Sequence, residues 1–273
     1  MSTQTVSAGE AARRLGVTPI TIQRWVDRGI LHAERTAGGH RRIYVTELRR
    51  LIAESRPAAL SGPLASWLDV LMTGNSHRIK SALITARQHL GSWAKVADQV
   101  ASAIAELGRR WEAGTCSIFE EHAVSESLRR GIALCATEAA YEPDTLRAVL
   151  FTVEGERHTL GLTLAELVLA EAGWQSIWLG EGPPSDELQL LVDKFKPNLL
   201  LVSASAVTSS KTIARYQSAL RQVATNNRIE LGLAGSGAWS EDPEVHRLVT
   251  FEDLHTFLSL MRSMEALNPR LAL

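Results

Sequence analysis

Glu156 and His158 stand two residues apart in the segment Glu156-Arg157-His158-Thr159-Leu160-Gly161. A carboxylate at that distance can accept a hydrogen bond from one ring nitrogen and leave the other free for a metal. Imidazole suits borderline transition metals. Further along, Ser203 and Ser205 offer hydroxyls, and Gly235 and Gly237 offer backbone without a Cβ, where another group can come close. Upstream, nine residues separate Trp111 from the pair Glu121-His122. An indole is a large, rigid apolar surface that suits a lid over a ligand. A third set has the chemistry to meet DNA. Thr18, Thr21, Gln23 and Arg24 are candidates for phosphate and base contacts, and His40, Arg41 and Arg42 for phosphates.

The elements that must carry these residues are read from periodicity. Residues 5–54 read as short helices. Val6, Ala8, Ala11, Ala12 and Leu15 give an apolar face, with Ser7 as N-cap. Thr18 and Pro19 open a second helix that carries Ile22, Trp25 and Val26 inward and ends near Gly29. Residues 35–43 look like a hairpin wing, and Thr46 caps a further helix through Ile52. A helix, a tight turn and a second helix form a geometry that reads the major groove. Residues 55–63 are a linker by composition. Residues 64–142 are helical throughout, with apolar positions such as Val96, Val100, Ile104 and Leu107, and about four helices are expected. From 146 the period changes. Strands at 148–153, 176–179, 199–203 and 229–234 alternate with helices at 160–172, 185–195 and 208–223, and a last helix begins near Asp253. Such a series implies a parallel sheet with helices on both faces and ligands beyond the carboxyl ends of the strands. The His158 loop, the Ser203-Ala204-Ser205 turn and the Gly235-Ser236-Gly237 turn all fall at that edge.

Bulk properties agree with a multidomain globular chain. It has 273 residues, 45% hydrophobic and 22% charged. The net charge of −1 hides an asymmetry: residues 1–56 hold ten arginines against five acids, so a basic end joins an acidic body. Cys116 and Cys135 form no disulfide framework and are expected to pack in the core. No signal peptide or membrane-length apolar run is evident, and a cytoplasmic protein is expected.

The first region resembles the MerR-family winged helix-turn-helix through Ala11-Ala12, Leu15-Gly16-Val17, Thr21-Ile22, Arg24-Trp25, Gly29-Ile30-Leu31 and Gly39-His40-Arg41-Arg42. That resemblance implies double-stranded operator DNA as partner. The last region resembles the Rossmann-like cobalamin-binding domain through Glu-x-His-x-x-Gly, Ser-Ala-Ser and the glycine turn. The resemblance makes His158 the lower cobalt ligand, sets Ser203 and Ser205 near the displaced nucleotide tail, and puts Gly235 and Gly237 where backbone approaches it. The family's loop usually begins with Asp, where this chain has the longer Glu156.

The spacing Trp-x9-Glu-His just upstream resembles the light-sensing cobalamin regulators of the CarH/LitR type, which share the domain order. It implies that Trp111 caps the upper corrin face and that Glu121 and His122 contact the adenosyl group, where a carboxylate and an imidazole can bond ribose hydroxyls and adenine edges. The expected domains are 1–56 (winged helix-turn-helix), 64–143 (helical bundle) and 146–273 (cobalamin-binding), with adenosylcobalamin between the last two. The expected function is a non-enzymatic repressor that forms dimers or tetramers and loses DNA affinity on light-driven cobalt–carbon cleavage. Light-sensing relatives can carry a histidine directly after the tryptophan, where this chain has Glu112. That departure keeps open a regulator that senses cobalamin without light, or a bilin or other tetrapyrrole in the same pocket. A corrinoid carrier module of a methyltransferase stands further behind.

Overall fold

The computed structural model describes residues 5–15, 19–36, 41–48, 62–135 and 145–267. The chain divides into two compact units: residues 1–74 with 102–126, and residues 75–101 with 127–273.

The first unit begins with β1 (Thr5–Ser7), α1 (Ala8–Leu15), α2 (Pro19–Asp27), β2 (Ala33–Arg35) and β3 (Arg41–Tyr44). Ser7 accepts from the Glu10 backbone N–H, as its N-cap reading requires. The expected wing is an antiparallel pair in which Ala33 faces Ile43 and Glu34 faces Arg42. β1 adds a third strand to it, with Val6 opposite Ile43. The apolar stripes of both helices meet this small sheet in one core of Val6, Ala11, Ala12, Ile22, Trp25, Leu31, Ile43 and Leu48. Helix α3 (Pro63–Leu71) buries Trp67, Leu68 and Leu71, and Pro63 sits at its start, where a missing N–H costs nothing.

Helices α4 (Ser76–Leu90), α5 (Trp93–Glu112) and α6 (Ile118–Ala133) complete the four expected of the bundle, and α5 and α6 each contribute to both units. Asn75 caps α4 by accepting from the backbone of His77 and Arg78, and Gly91 ends it in a left-handed turn. In the second unit α6 crosses α4 closely at Gly131, where an added Cβ would lie 2.7 Å from Ile79 Cγ2.

The rest of the second unit comprises β4 (Arg147–Thr152), α7 (Leu160–Glu171), β5 (Gln175–Gly180), α8 (Leu188–Phe195), β6 (Leu199–Ser203), α9 (Ser210–Asn227), β7 (Glu230–Ala234), β8 (His246–Leu248) and α10 (Phe251–Leu267). The sheet is parallel throughout, in the order β5-β4-β6-β7-β8. β4 from Ala148 onward and the whole of β6 are buried because both faces are covered, α7 packing with α10 and α8 with α9. Val149, Phe151, Leu200, Val202, Leu231 and Leu233 meet Ile213, Tyr216 and Leu220 in the main core. Periodicity in the sequence does not predict β8.

Two carboxylates tie the helical part of this unit to its sheet part. Glu171 on α7 pairs with Arg87 and accepts from the Trp93 backbone N–H at the start of α5, 2.9 Å away. Asp98 on α5 accepts from the backbone N–H groups of Phe251 (2.8 Å) and Glu252 (3.2 Å) and so caps α10. Burial raises the Asp98 carboxyl above its ordinary value, against the pull of those two hydrogen bonds. Cys116 is buried and Cys135 partly so, both as free thiols, and burial raises each. Among the described residues no helix is long and apolar enough to cross a membrane.

Candidate functional site

The strand order reverses between β4 and β6, and the loops leaving their carboxyl ends flank the crevice this creates. Glu156 lies on the first loop and Ser205 on the second. The β4 loop turns at Gly155 (φ 80), and the Glu156 N–H returns to the Val153 carbonyl at 3.0 Å. Thr152 Oγ1 donates to the Glu156 carbonyl at 2.5 Å. The loop is thus bonded back onto its strand, and the Glu156 side chain is sent inward, 4% exposed, while His158 stays outside.

The two oxygens of Glu156 divide their work. Oε1 accepts from the His158 backbone N–H at 2.8 Å and from its ring Nδ1 at 2.5 Å. Oε2 accepts from the Ser205 backbone N–H at 3.1 Å, from the Ser205 hydroxyl, and from Thr208 Oγ1 at 2.5 Å. Burial pushes this carboxyl up, but the donors of Ser205, Thr208 and His158 outweigh it and hold it at about 2. The group is therefore a fixed anion at neutral pH. Accepting from Nδ1 sets the ring in its Nδ1–H tautomer and leaves the Nε2 lone pair available. The His158 side chain is 68% exposed, so that lone pair is open to a ligand.

The neighbouring positions have separate roles. Gly161 lies in the first turn of α7 with nothing within 4 Å of where its Cβ would be, so the space there is open. Ser203 is buried at the end of β6. Gly235 has φ 81, and a Cβ there would fall 2.2 Å from the Ala204 carbonyl oxygen and 2.7 Å from Ser203 Oγ. A Cβ at Gly237 would fall 2.7 Å from that of Ala204. Both glycines are thus required by the fold itself: the β7 turn lies against the β6 turn, and the Gly237 N–H donates to the Ala204 carbonyl at 2.9 Å. Sequence reasoning missed three side chains here. Thr208 bonds Glu156, Ser236 Oγ accepts from the Ala206 N–H at 3.0 Å, and Arg129 donates to Thr159 Oγ1 at 3.5 Å, next to His158.

Trp111, Glu121 and His122 belong to the other unit. Trp111 lies in the last turn of α5 and is 48% exposed. Glu121 accepts from Ser125 Oγ and meets His122 Nδ1, both at 2.6 Å. The same unit holds the DNA candidates. Gln23 and Arg24 are exposed on α2, and Arg42 is exposed on the wing. Arg41 is instead drawn into an ion pair with Asp27 at 2.5 Å, which joins the wing to the end of α2. Thr18 and His40 lie outside the described residues, as does the side chain of Thr21.

The donor set decides what this site can hold. Among the described residues no three His, Cys, Asp or Glu side chains gather as a metal cage. A single imidazole with a carboxylate behind it fits a metal whose remaining ligands come with it, as in a corrin. The open space at Gly161 and the hydroxyl-lined crevice are compatible with a bulky group.

Residues 7–43 match the model of the MerR family regulatory protein, and residues 64–136 match the B12 binding domain. The HTH-type transcriptional repressor CarH of Myxococcus xanthus is 26% identical over 289 residues, covering 91% of this chain and 94% of that one. Trimethylamine corrinoid protein 1 of Methanosarcina mazei is 22% identical over 135 residues, covering 48% of this chain and 62% of its own length. The monomethylamine corrinoid protein of Methanosarcina barkeri shares the fold with a TM-score of 0.53 at 15% identity, over 73% of this chain and 96% of that chain. The chain thus carries a match to a MerR family regulatory protein near one end and a match to a B12 binding domain after it, and as a whole it is similar to the CarH repressor over nearly the full length of both.

Proposed function

We propose that this protein is a repressor that binds adenosylcobalamin and releases DNA in the light. The observation that carries the reading is His158, held by a buried anion with its Nε2 free, in a chain that begins with a MerR domain. Adenosylcobalamin, when bound, supplies a cobalt–carbon bond that light cleaves. His158 would hold the cobalt through Nε2, with Glu156 fixing its tautomer and ring orientation. Ser203, Ser205 and Gly161 accommodate the nucleotide tail, and Gly235 and Gly237 keep the β7 turn pressed on the β6 turn so that its backbone borders that space. Trp111 offers its exposed indole as an apolar lid, and Glu121 and His122 offer hydrogen bonds to the adenosyl group. Gln23, Arg24 and Arg42 carry the operator contacts, with Thr18, Thr21 and His40 beside them in sequence. Arg41 secures the wing.

Protomers assemble as dimers or tetramers, since one short helix-turn-helix reads few bases and paired half-sites supply the rest. The cofactor controls DNA binding by its differential affinity for the assembled and dissociated forms. Gel-shift titration of the adenosylcobalamin-loaded protein in the dark and after green illumination tests this. The expected result is tight, salt-sensitive binding in the dark and at least tenfold weaker binding after light. Equal affinity in both conditions removes the light response.

Glu112 favours a second reading. A histidine after the tryptophan would bind cobalt once the adenosyl group has gone, whereas a carboxylate is a harder oxygen donor. On this reading the same scaffold senses cobalamin occupancy without light, or holds another tetrapyrrole such as a bilin. DNA affinity that tracks cofactor addition but ignores illumination would select it. A role as the corrinoid carrier of a methyltransferase has the shared fold in its favour and the MerR domain against it.

A further inference from the structure

Helix α2 has two sharply different faces. At 100° per residue, Ile22, Trp25 and Val26 fall on one arc and enter the core, with Ile22 fully buried. Ile20, Gln23, Arg24 and Asp27 fall on the opposite arc, and all four are exposed. Ile20 stands at the middle of that arc, farthest from the core, and 61% of it is exposed. An isolated surface isoleucine needs no explanation. This one is centred on the face by which the second helix of a helix-turn-helix enters the major groove, in the N-terminal turn that meets base edges.

Its surroundings suit DNA. The first turn of α2 contains no acidic residue. The face has one carboxylate, Asp27, and the Arg41 guanidinium occupies it. What remains outward is an aliphatic group flanked by an amide and a guanidinium, both of which bond base edges or phosphates. In the major groove the aliphatic partner among base edges is the thymine 5-methyl group. We infer that Ile20 is a specificity-determining residue that packs on a thymine methyl, and so selects operators with thymine at one position of each half-site. The inference rests on the proposed reading of this domain as DNA-binding.

The test uses the full chain loaded with adenosylcobalamin and kept in the dark. A preferred duplex is recovered by selection from a randomised pool, and each thymine is then replaced singly by deoxyuridine, which removes only the methyl. Dissociation constants are measured at one salt concentration for the wild type, Ile20→Ala and Ile20→Val, with thermal unfolding to verify the fold. The wild type should lose affinity ~4-fold at one thymine, about the worth of one buried methyl. Ile20→Val should keep most of that discrimination. Ile20→Ala should bind the thymine duplex several-fold more weakly and no longer distinguish it from the uracil duplex. Undiminished discrimination by Ile20→Ala, or a wild type indifferent to every methyl, overturns the inference. So does an Ile20→Ala variant whose only change is oligomeric state, which would assign the residue to a protein contact. If no duplex is recovered, the DNA-binding reading itself fails.

Discussion

Replacing Glu156 by Gln keeps the shape of the side chain and removes its charge, and the surrounding hydrogen bonds determine the cost. Each carboxylate oxygen faces a backbone N–H: that of His158 at Oε1 and that of Ser205 at Oε2. Hydroxyls can turn round and accept, but a backbone N–H cannot. Whichever way the amide is placed, its NH2 confronts one of the two. Leaving a buried donor unsatisfied costs about 1–3 kcal/mol. Holding the carboxyl at about 2 rather than 4.5 corresponds to a ceiling of ~3 kcal/mol at 1.36 kcal/mol per tenfold, which solvent near the exposed His158 ring reduces. A loss of about 2 kcal/mol in unfolding free energy at pH 7 is expected. The pH dependence supplies the sharper check. Because the folded-state value is depressed, the contribution is full above 4.5 and is lost as pH falls towards about 2. Urea denaturation of both proteins between pH 7 and pH 3 should therefore show their difference shrinking on acidification. A difference under ~0.5 kcal/mol at pH 7, or one that does not change with pH, would refute this account of the carboxylate.

Further outcomes are expected at four other positions. Thr208→Val removes one donor to Glu156 and should cost about 1 kcal/mol in denaturant unfolding, with weaker cobalamin retention, because the His158 ring is held less firmly. Gly161→Ala should leave the thermal midpoint of the free protein unchanged or higher, since open space surrounds that position, yet weaken cobalamin binding in equilibrium dialysis. Gly235→Ala, by contrast, meets the Ala204 carbonyl at a left-handed backbone and should lower the midpoint sharply with or without ligand. Asp98→Ala uncaps α10 and should cost about 1 kcal/mol, read by denaturant unfolding and faster amide exchange at Phe251 and Glu252.

The elements legible in the sequence are those with a strong apolar period. β4 and β6 are buried on both faces, so their apolar runs stand out, and the bundle and α7 to α9 repeat their core residues at helical spacing. β8 carries no such signal: it is three residues long at the sheet edge, with His246 and Arg247 outward and only Leu248 buried. β1 is as short, and its pairing with β3 depends on a contact across the domain. The Glu156–His158 pair is readable because both partners lie on one loop, so spacing alone brings them together. Thr208 is not, since its bond to Glu156 spans 52 residues and nothing in a Thr on a loop announces a carboxylate partner. The Asp98 cap spans 153 residues and is invisible for the same reason. Gly235 and Gly237 are legible as places of close approach, and the fold adds a neighbour that the sequence does not name, Ala204. Arg41 reads as a phosphate contact, and local sequence does not reveal that Asp27 is within reach of it.

The most direct measurement of the central claim is the visible spectrum of the protein mixed with adenosylcobalamin in the dark, desalted, and then exposed to green light, beside His158→Ala. A corrin spectrum that survives desalting, changes on illumination and is altered or lost in His158→Ala is the predicted result. No retained corrin, or a retained spectrum that neither light nor His158→Ala alters, would contradict it.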